Sequence, residues 1–215
     1  TLWLIIVAGV FFGVDIVLWH IGIFQTKMAN ATIFANCASL LLVVYGVIGA
    51  RKMPSRWEGA AILFAFLGAA LLMGQSLELS PRHFTGDLLS LGAGLTYTVY
   101  LVSMIKVRQN TESWGALGMA SAFAAVVLLA CALFAGEQII PTEWWPVVLL
   151  AFTSQFFGQG CLTYALPHFS PLVIGLALLL QPALSAAAGW LAFGETLTAM
   201  DFTGSALVML ALVLV

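Results

Sequence analysis

Eight runs of apolar residues alternate with short polar segments along this chain. A helix needs about 20 apolar residues to cross the hydrocarbon core of a bilayer, and only the last run falls clearly short of that length. The runs are continuous rather than alternating with a period of two, which favours helices over the strands of a membrane barrel. The pattern predicts eight membrane-spanning helices, at residues 1–24, 28–50, 57–76, 86–106, 113–135, 144–166, 170–193 and 201–215.

Composition excludes a soluble protein. Of the 215 residues, 62% are hydrophobic and only 7% are charged, and the mean hydropathy is +1.09. A soluble domain carries about 25% charged residues, and no soluble fold of this size could bury so much apolar surface. We therefore expect an all-α, polytopic transmembrane helix bundle that has the lipid bilayer as a partner. The net charge of −2 provides no basic patch, so nucleic acid is not an expected partner.

The sequence lacks the common patterns of catalytic and metal-binding sites. Cys37, Cys131 and Cys161 all lie within apolar runs, where cysteine behaves as a small hydrophobic residue. There is no CxxC or HExxH spacing, and no glycine-rich phosphate loop ends in Gly-Lys. We expect no metal, no cofactor and no enzymatic activity, and a nucleotide-driven pump is not indicated.

Lysine and arginine residues predict which helix ends face the cytoplasm. Five lie on one side, namely Arg51, Lys52, Arg56, Lys106 and Arg108, whereas Lys27 and Arg82 lie on the other. Cytoplasmic loops carry the excess of positive charge, so the first side is predicted to be cytoplasmic, and we expect a multi-pass protein of the inner (cytoplasmic) membrane. Six acids fall on the outer side: Glu78, Asp87, Glu137, Glu143, Glu195 and Asp201. The brief polar connections predict that successive helices are antiparallel neighbours.

A shift of 145 residues superimposes two parts of the sequence. It aligns several identical or similar residues, among them FFG at 11–13 with FFG at 156–158, Gly49 with Gly194, and Asn36 with Gln181. The three helices predicted within 1–70 then match the last three, within 146–215. Because the two copies begin five helices apart, they must run in opposite directions across the bilayer. This is an inverted-topology repeat, which many secondary transporters contain.

The repeat also predicts the domain organisation. Residues 1–76 would hold the last three helices of a first repeat, and residues 86–215 the five helices of a second. The two helices at 86–135 have no counterpart near the start, so we expect two more helices before Thr1 and ten in the complete molecule. Both ends of the chain fall inside apolar runs, which we interpret as the ends of a fragment.

The end of the chain resembles a known family. From Ser170 onwards it contains a proline that enters a helix of small residues (Gln181-Pro182), a Gly-Glu turn (Gly194-Glu195) and a glycine in the next helix (Gly204). These sequence features resemble the end of an EamA-type repeat of the drug/metabolite transporter superfamily. The stretch DIVLWHIGIFQTKMANATIFANCASLL resembles a form of the first repeat of that family, so the resemblance covers nearly the whole chain.

The resemblance implies a permease that moves amino acids, other small metabolites or drugs, usually outward. The first repeat departs from the family pattern, because Cys37 or Ser39 stands where a proline is usual and residues 50–52 replace the Gly-Glu turn. A strictly symmetric role for Glu195 is therefore not expected.

Asp15 is the first candidate for function, since it lies about 4 Å past the middle of the first helix at about 1.5 Å per residue. A charged aspartate at the centre of a membrane helix costs about 2.5–3.5 kcal/mol. Two interpretations stay open. Asp15 either couples transport to protons or binds a substrate amine, or it is a protonated or paired carboxyl group that bonds to a neighbouring helix.

Two aromatic residues follow Asp15. Trp19 is its i, i+4 neighbour and is either an aromatic anchor or a cavity wall. His20 points about 140° away from Asp15 on an ideal helix, so we interpret it as an interfacial or packing residue rather than a proton relay.

Amide side chains within the predicted helices are further candidates. Gln155 and Gln159 have i, i+4 spacing and need partners, either on another helix or on a polar substrate. Gln181 precedes Pro182, whose ring removes one helical hydrogen bond and frees a carbonyl near the middle of the membrane. This predicts a kinked binding element, for which Asn36 is a weaker counterpart in the first repeat.

Tyr97 and Tyr100 share one helix face and either stack on a substrate or pack within the bundle. Together the candidates predict a secondary active transporter with a central cavity, whose partners are a small-molecule substrate and, through Asp15, protons. The alternative is a membrane scaffold or assembly protein with the same fold and no transport. A homodimer is compatible with either interpretation.

Overall fold

The computed structural model describes residues 1–74, 80–193 and 196–215, and the regular elements in these ranges are all helical. The first six helices are α1 (Leu2–Gln25), α2 (Met28–Ala35), α3 (Cys37–Ala50), α4 (Arg56–Gly74), α5 (Phe84–Val107) and α6 (Ser113–Ala135). They are followed by α7 (Trp144–Leu150), a π-helix (Ala151–Gln159), α8 (Gly160–Ala165), α9 (Pro171–Leu178), α10 (Gln181–Phe193) and α11 (Ala199–Val213). The predicted all-helical class is confirmed for the described residues. Glu78 and the Gly194-Glu195 turn lie outside them.

Six helical segments in these ranges are long and apolar enough to cross a membrane. They are Leu2–Gln25, Asn30–Ala50, Arg56–Gly74, Phe84–Val107, Ser113–Ala135 and Pro171–Ala188. By contrast, α11 has only 15 residues, and the apolar run at 144–166 is divided among α7, the π-helix and α8. The protein is an integral membrane protein with six candidate spans of the eight that the sequence predicts.

Two of the predicted helices, 28–50 and 170–193, are interrupted near their middles. The first breaks at Asn36, whose backbone N–H and side-chain Nδ2 both donate to the Thr32 carbonyl, at 3.0 and 2.9 Å. The second breaks after Leu178, because the helical donor for its carbonyl would be residue 182, and Pro182 has no N–H. The break between α9 and α10 lies where the sequence predicts a kink, and the proline ends α9 one turn before its own position. The sequence does not predict the break at Asn36, and the segments Asn30–Ala50 and Pro171–Ala188 both remain candidate membrane spans.

Helix pairing follows small residues rather than chain order. The most extensive contacts join α1 to α5, α4 to α11, α1 to α6, and α3 to α9. The prediction that successive helices are neighbours is wrong for α5 and α6, which both pack on α1. A short connection limits only the distance between two helix ends, whereas small residues determine which faces can approach closely. At Gly13 of α1, for example, an added Cβ would lie 2.8 Å from the Val127 Cβ of α6.

The bundle has two distinguishable ends. At one end, an added Cβ at Gly86 of α5 would lie 2.5 Å from the backbone carbon of Gln25, so the end of α1 meets the start of α5. At the other end, a pocket is lined by residues from the ends of both α3 and α5. We name these the outer end and the inner end, following the orientation that the lysine and arginine pattern predicts.

Candidate functional site

A central cavity of about 650 Å³ extends from the middle of the bundle towards the outer end. Its walls come from the second half of α1, from α2 and the start of α3, from α5, from α7 and the π-helix, and from the break between α9 and α10. The polar lining residues are Asp15, His20, Thr32, Asn36, Ser39, Tyr97, Ser154, Gln155, Gln159 and Gln181. Seven of the nine predicted site residues line this cavity: Asp15, Trp19, Asn36, Tyr97, Gln155, Gln159 and Gln181.

Asp15 supplies the acid of the cavity. Its side chain is partly buried, and within the described residues its carboxyl group accepts no hydrogen bond. Tyr97 lines the same cavity. Among the described residues, no lysine or arginine contributes to the lining. A carboxyl group without a protein partner, facing a cavity inside a membrane bundle, is therefore available to a proton or to a cationic group that enters.

Below Asp15, two tyrosines and a glutamine form a hydrogen-bonded network. Tyr100 Oη donates to Gln159 Oε1 at 3.2 Å, and Gln159 Nε2 donates to Tyr97 Oη at 3.3 Å. The rings of Tyr97 and Tyr100 stack with their centroids 5.5 Å apart, and Phe12 stacks on Tyr100 at 4.6 Å. Tyr100 is fully buried and does not line the cavity. It supports the cavity floor, whereas Tyr97 and Gln159 present polar atoms to the interior.

The π-helix carries both predicted glutamines. Gln155 Nε2 donates to Ser121 Oγ of α6 at 2.8 Å, while Gln159 bonds the two tyrosines of α5. A π-helix is rare and frequently occurs at functional sites. Here it replaces the continuous helix expected at 144–166 and directs two amides at the cavity from one wall.

The two helix breaks meet the cavity at corresponding places. Asn36, between α2 and α3, and Gln181, at the start of α10, both line it. Pro182 itself does not contribute to the lining. Its effect is indirect, since it ends α9 at Leu178 and so places Gln181 beside the cavity. Helices broken at mid-membrane expose backbone polar groups that can bind a substrate or an ion.

Trp19 and His20 lie towards the open side of the cavity. Their rings meet edge to face with centroids 5.4 Å apart, and His20 Nδ1 lies 2.8 Å from the Ile16 carbonyl oxygen. The sequence indicates an interfacial or packing role for His20, and the structure adds that it is exposed to the cavity.

Three hydroxyl residues of the lining were missed by reasoning from the sequence: Thr32, Ser39 and Ser154. A signal for two of them exists, because Thr32, Asn36 and Ser39 follow i, i+4, i+7 spacing and so share one helix face. Ser154 has no such signal, since its place depends on the π-helix.

Comparison with known proteins identifies the family. The model of the EamA-like transporter family matches residues 84–215. The threonine/homoserine exporter RhtA of Escherichia coli (strain K12) is 31% identical over 144 residues, and the same protein of E. coli O157:H7 matches equally well. These matches cover 64% of this chain and 47% of the exporter, so the chain spans about half the length of these curated relatives.

A solved structure has a similar arrangement of helices. It is a crystal structure of a protein that superimposes with a TM-score of 0.76 over 98% of this chain and 74% of its own. The identity is 18%, so this likeness concerns the fold alone. The family model covers more than half of the chain, from the start of α5 to residue 215. The chain belongs to the EamA-like transporter family.

Proposed function

We propose that this chain forms part of a secondary active transporter that exports a small metabolite, amino acid or drug across the cytoplasmic membrane by alternating access. The observation that carries the proposal is the central cavity, in which Asp15 has no protein partner among the described residues. A scaffold gains nothing from an unpaired carboxyl group, which is costly inside a membrane and usually marks a pathway for a substrate or a proton. Membership of a transporter family supports the same conclusion.

We further propose an architecture of ten helices in two inverted five-helix repeats, with residues 1–76 in the first and 86–215 in the second. The helix breaks support it, because the 145-residue shift places Asn36 on Gln181 and the start of α3 on Pro182, next to the start of α10. Under this proposal, the interrupted segment 144–166 and α11 also cross the membrane, which gives eight spans in this chain.

The chemistry of the cavity favours a substrate with an ammonium group. In the part of the chain that the structure describes, one carboxyl group, several amides and aromatic rings line it, and no lysine or arginine does. Aromatic faces and a carboxylate both attract an ammonium group. The relatives named above are exporters of threonine and homoserine, and we extend that substrate class, a small amino acid, to this protein.

Asp15 would also account for coupling to protons. A single carboxyl group can hold a proton or pair with an ammonium group, but it cannot do both at once. If each binds on a different side of the membrane, a proton enters for each substrate that leaves. One proton moved through 100 mV supplies about 2.3 kcal/mol, which sustains about a fiftyfold substrate gradient because 1.4 kcal/mol is tenfold.

Alternating access needs a barrier that can move to the other side of the substrate. An apolar cluster lies beneath the cavity and includes Tyr100, Leu101, Met104, Leu42 and Leu166. Phe12, in the same cluster, lines the central cavity, whereas Leu166 lines the pocket at the inner end. We name this group the inner cluster, and we propose that it closes the inner side in the conformation described.

The test is transport by the full-length protein in reconstituted vesicles. Wild-type protein should move radiolabelled threonine or homoserine against a gradient when a pH gradient is imposed. Asp15→Asn should lose this proton-driven transport, while Asp201→Asn, at the exposed start of α11, should keep it. Wild-type protein that moves no amino acid, metabolite or drug would support the scaffold alternative. Unchanged proton dependence in Asp15→Asn would remove the coupling role.

A further inference from the structure

A second cavity, which we name the inner pocket, lies at the inner end of the bundle and has a volume of about 620 Å³. It is enclosed by the end of α3, the end of α5, and the connection between α8 and α9. We propose that this pocket is a substrate site on the cytoplasmic side, where Arg108 binds the carboxylate of an amino acid before transport. This inference rests on the proposed export function.

The backbone fixes Arg108 in place. Pro167 has no N–H, so the Thr163 carbonyl at the end of α8 lacks the donor that normally lies four residues ahead. Arg108 Nε provides that donor at 2.9 Å, and Nη1 donates to the Thr111 carbonyl. A guanidinium group that is already immobilised loses little further entropy when an anion binds.

The guanidinium group retains donors for a ligand. Arginine has five N–H donors, and the two bonds to Thr163 and Thr111 occupy only part of them. Within the described residues, Arg108 forms no ion pair, and it is the only charged side chain among those lining the pocket. A partly buried cation of this kind favours an anion, and its planar fork matches both oxygens of a carboxylate.

The ends of two helices also favour the two charged groups of an amino acid, its carboxylate and its ammonium group. Ser170 and Pro171, at the start of α9, line one side of the pocket, and Gly49 and Ala50, at the end of α3, line another. The N-terminal end of a helix carries a partial positive charge and the C-terminal end a partial negative one. A zwitterion can therefore place its carboxylate towards Arg108 and α9, and its ammonium group towards the carbonyls of α3.

The two cavities contain side chains of opposite charge, and they lie one behind the other from the inner end towards the outer end. Among the residues that the structure describes, the inner pocket is lined by a guanidinium group and no acid, whereas the central cavity is lined by Asp15 and no lysine or arginine. The inner cluster separates them. An exported amino acid would thus be held first by its carboxylate at Arg108 and then by its ammonium group at Asp15, once the inner cluster has opened.

The sidedness of transport tests this inference in the full-length protein, with radiolabelled homoserine and threonine as probes. Arg108→Gln should raise the inner-face KM for these amino acids at least tenfold and leave the outer-face KM within twofold. Lys106→Gln removes a charge two residues away, outside the pocket lining, and should change neither value. Arg108→Lys keeps the charge without the fork and should lie in between.

A second variant separates binding from folding, because Arg108 also bonds the backbone. An added Cβ at Gly49 has no atom within 4 Å, so Gly49→Leu should fill the pocket, leave the Arg108 bonds intact and raise the inner-face KM by at least fivefold. Equal changes of KM on both faces, or an unchanged inner-face KM in both variants, would overturn the inference and leave the proposed function standing. Wild-type protein that transports neither amino acid would overturn both.

Discussion

The network of Tyr100, Gln159 and Tyr97 provides a quantitative test of the cavity floor. Replacing Tyr100 with Phe keeps the ring, which stacks between Phe12 and Tyr97, and removes only the hydroxyl that donates to Gln159 at 3.2 Å. A neutral hydrogen bond contributes about 0.5–1.5 kcal/mol net, and interhelical bonds in one membrane protein average about 0.6 kcal/mol. Gln159 lines the cavity, where water can replace the lost donor. We expect Tyr100→Phe to lower the free energy of unfolding by about 0.5–1 kcal/mol.

A double-mutant cycle gives the sharper result. Gln159→Leu removes the acceptor of the Tyr100 hydroxyl, which is 1% exposed. The neighbouring Thr163 hydroxyl, which has no hydrogen-bond partner among the described residues, can replace part of the lost bond. We therefore expect a loss of about 1 kcal/mol, the lower end of the cost of an unsatisfied buried group. Adding Tyr100→Phe to Gln159→Leu removes this hydroxyl, so the double variant should lose little more stability than Gln159→Leu alone. Tyr164→Phe is the control, because Tyr164 is 63% exposed and should show no change.

The assay is reversible unfolding of the purified full-length protein in mixed micelles, followed by circular dichroism over a titration with denaturing detergent. If the losses of Tyr100→Phe and Gln159→Leu simply add, the two side chains are not coupled. The hydrogen bond that joins α5 to the π-helix would then be refuted, and with it the described floor of the central cavity.

Two further variants test packing at other places. Gly68→Ala should lower stability by about 1–3 kcal/mol, because its Cβ would lie 2.6 Å from the Gly204 carbonyl oxygen of α11. Gly59→Ala in the same helix meets no atom within 4 Å and should cost nothing; thermal unfolding compares the two. Asp87→Ala should lower the free energy of unfolding by about 1.5–3 kcal/mol. The Asp87 side chain is 5% exposed, and its Oδ1 accepts hydrogen bonds from Thr26 Oγ1 at 2.5 Å and from Asn30 Nδ2 at 3.1 Å, at the outer end of the bundle. Glu137 is exposed, so Glu137→Ala should leave the stability unchanged. An equal loss of stability in the two variants would contradict a stabilising role for the hydrogen bonds of Asp87.

The sequence could predict the candidate membrane segments because hydropathy and length depend only on local composition. It could also predict that Asp15 and the glutamines line a shared cavity, since polar groups inside a membrane must find a polar environment. The sequence could not predict which helices pack against one another. That α1 meets both α5 and α6 depends on how small residues such as Gly13 fit a distant surface, and the sequence shows which residues are small without showing what they meet.

Local helix breaks were predictable only in part. Pro182 identifies the break between α9 and α10, because a missing N–H has a fixed effect on the residue four positions earlier. The break between α2 and α3 at Asn36 occurs without a proline, and the Asn36 side chain bonds the Thr32 carbonyl instead. Asparagine can bond its own backbone in this way or point elsewhere, so the sequence alone does not decide. The Arg108 pocket was missed for a similar reason, since Thr163 and Pro167 are far from Arg108 in the chain.

Thiol labelling from each side of the membrane tests the central claim, which is that two cavities open to opposite faces with the inner cluster closed between them. Single cysteines would be placed at Ser154, in the central cavity, and at Gln109, in the inner pocket, with the native cysteines replaced by alanine. An impermeant reagent should label Ser154→Cys only from the outer face and Gln109→Cys only from the cytoplasmic face. Labelling of both positions from one face would contradict the account.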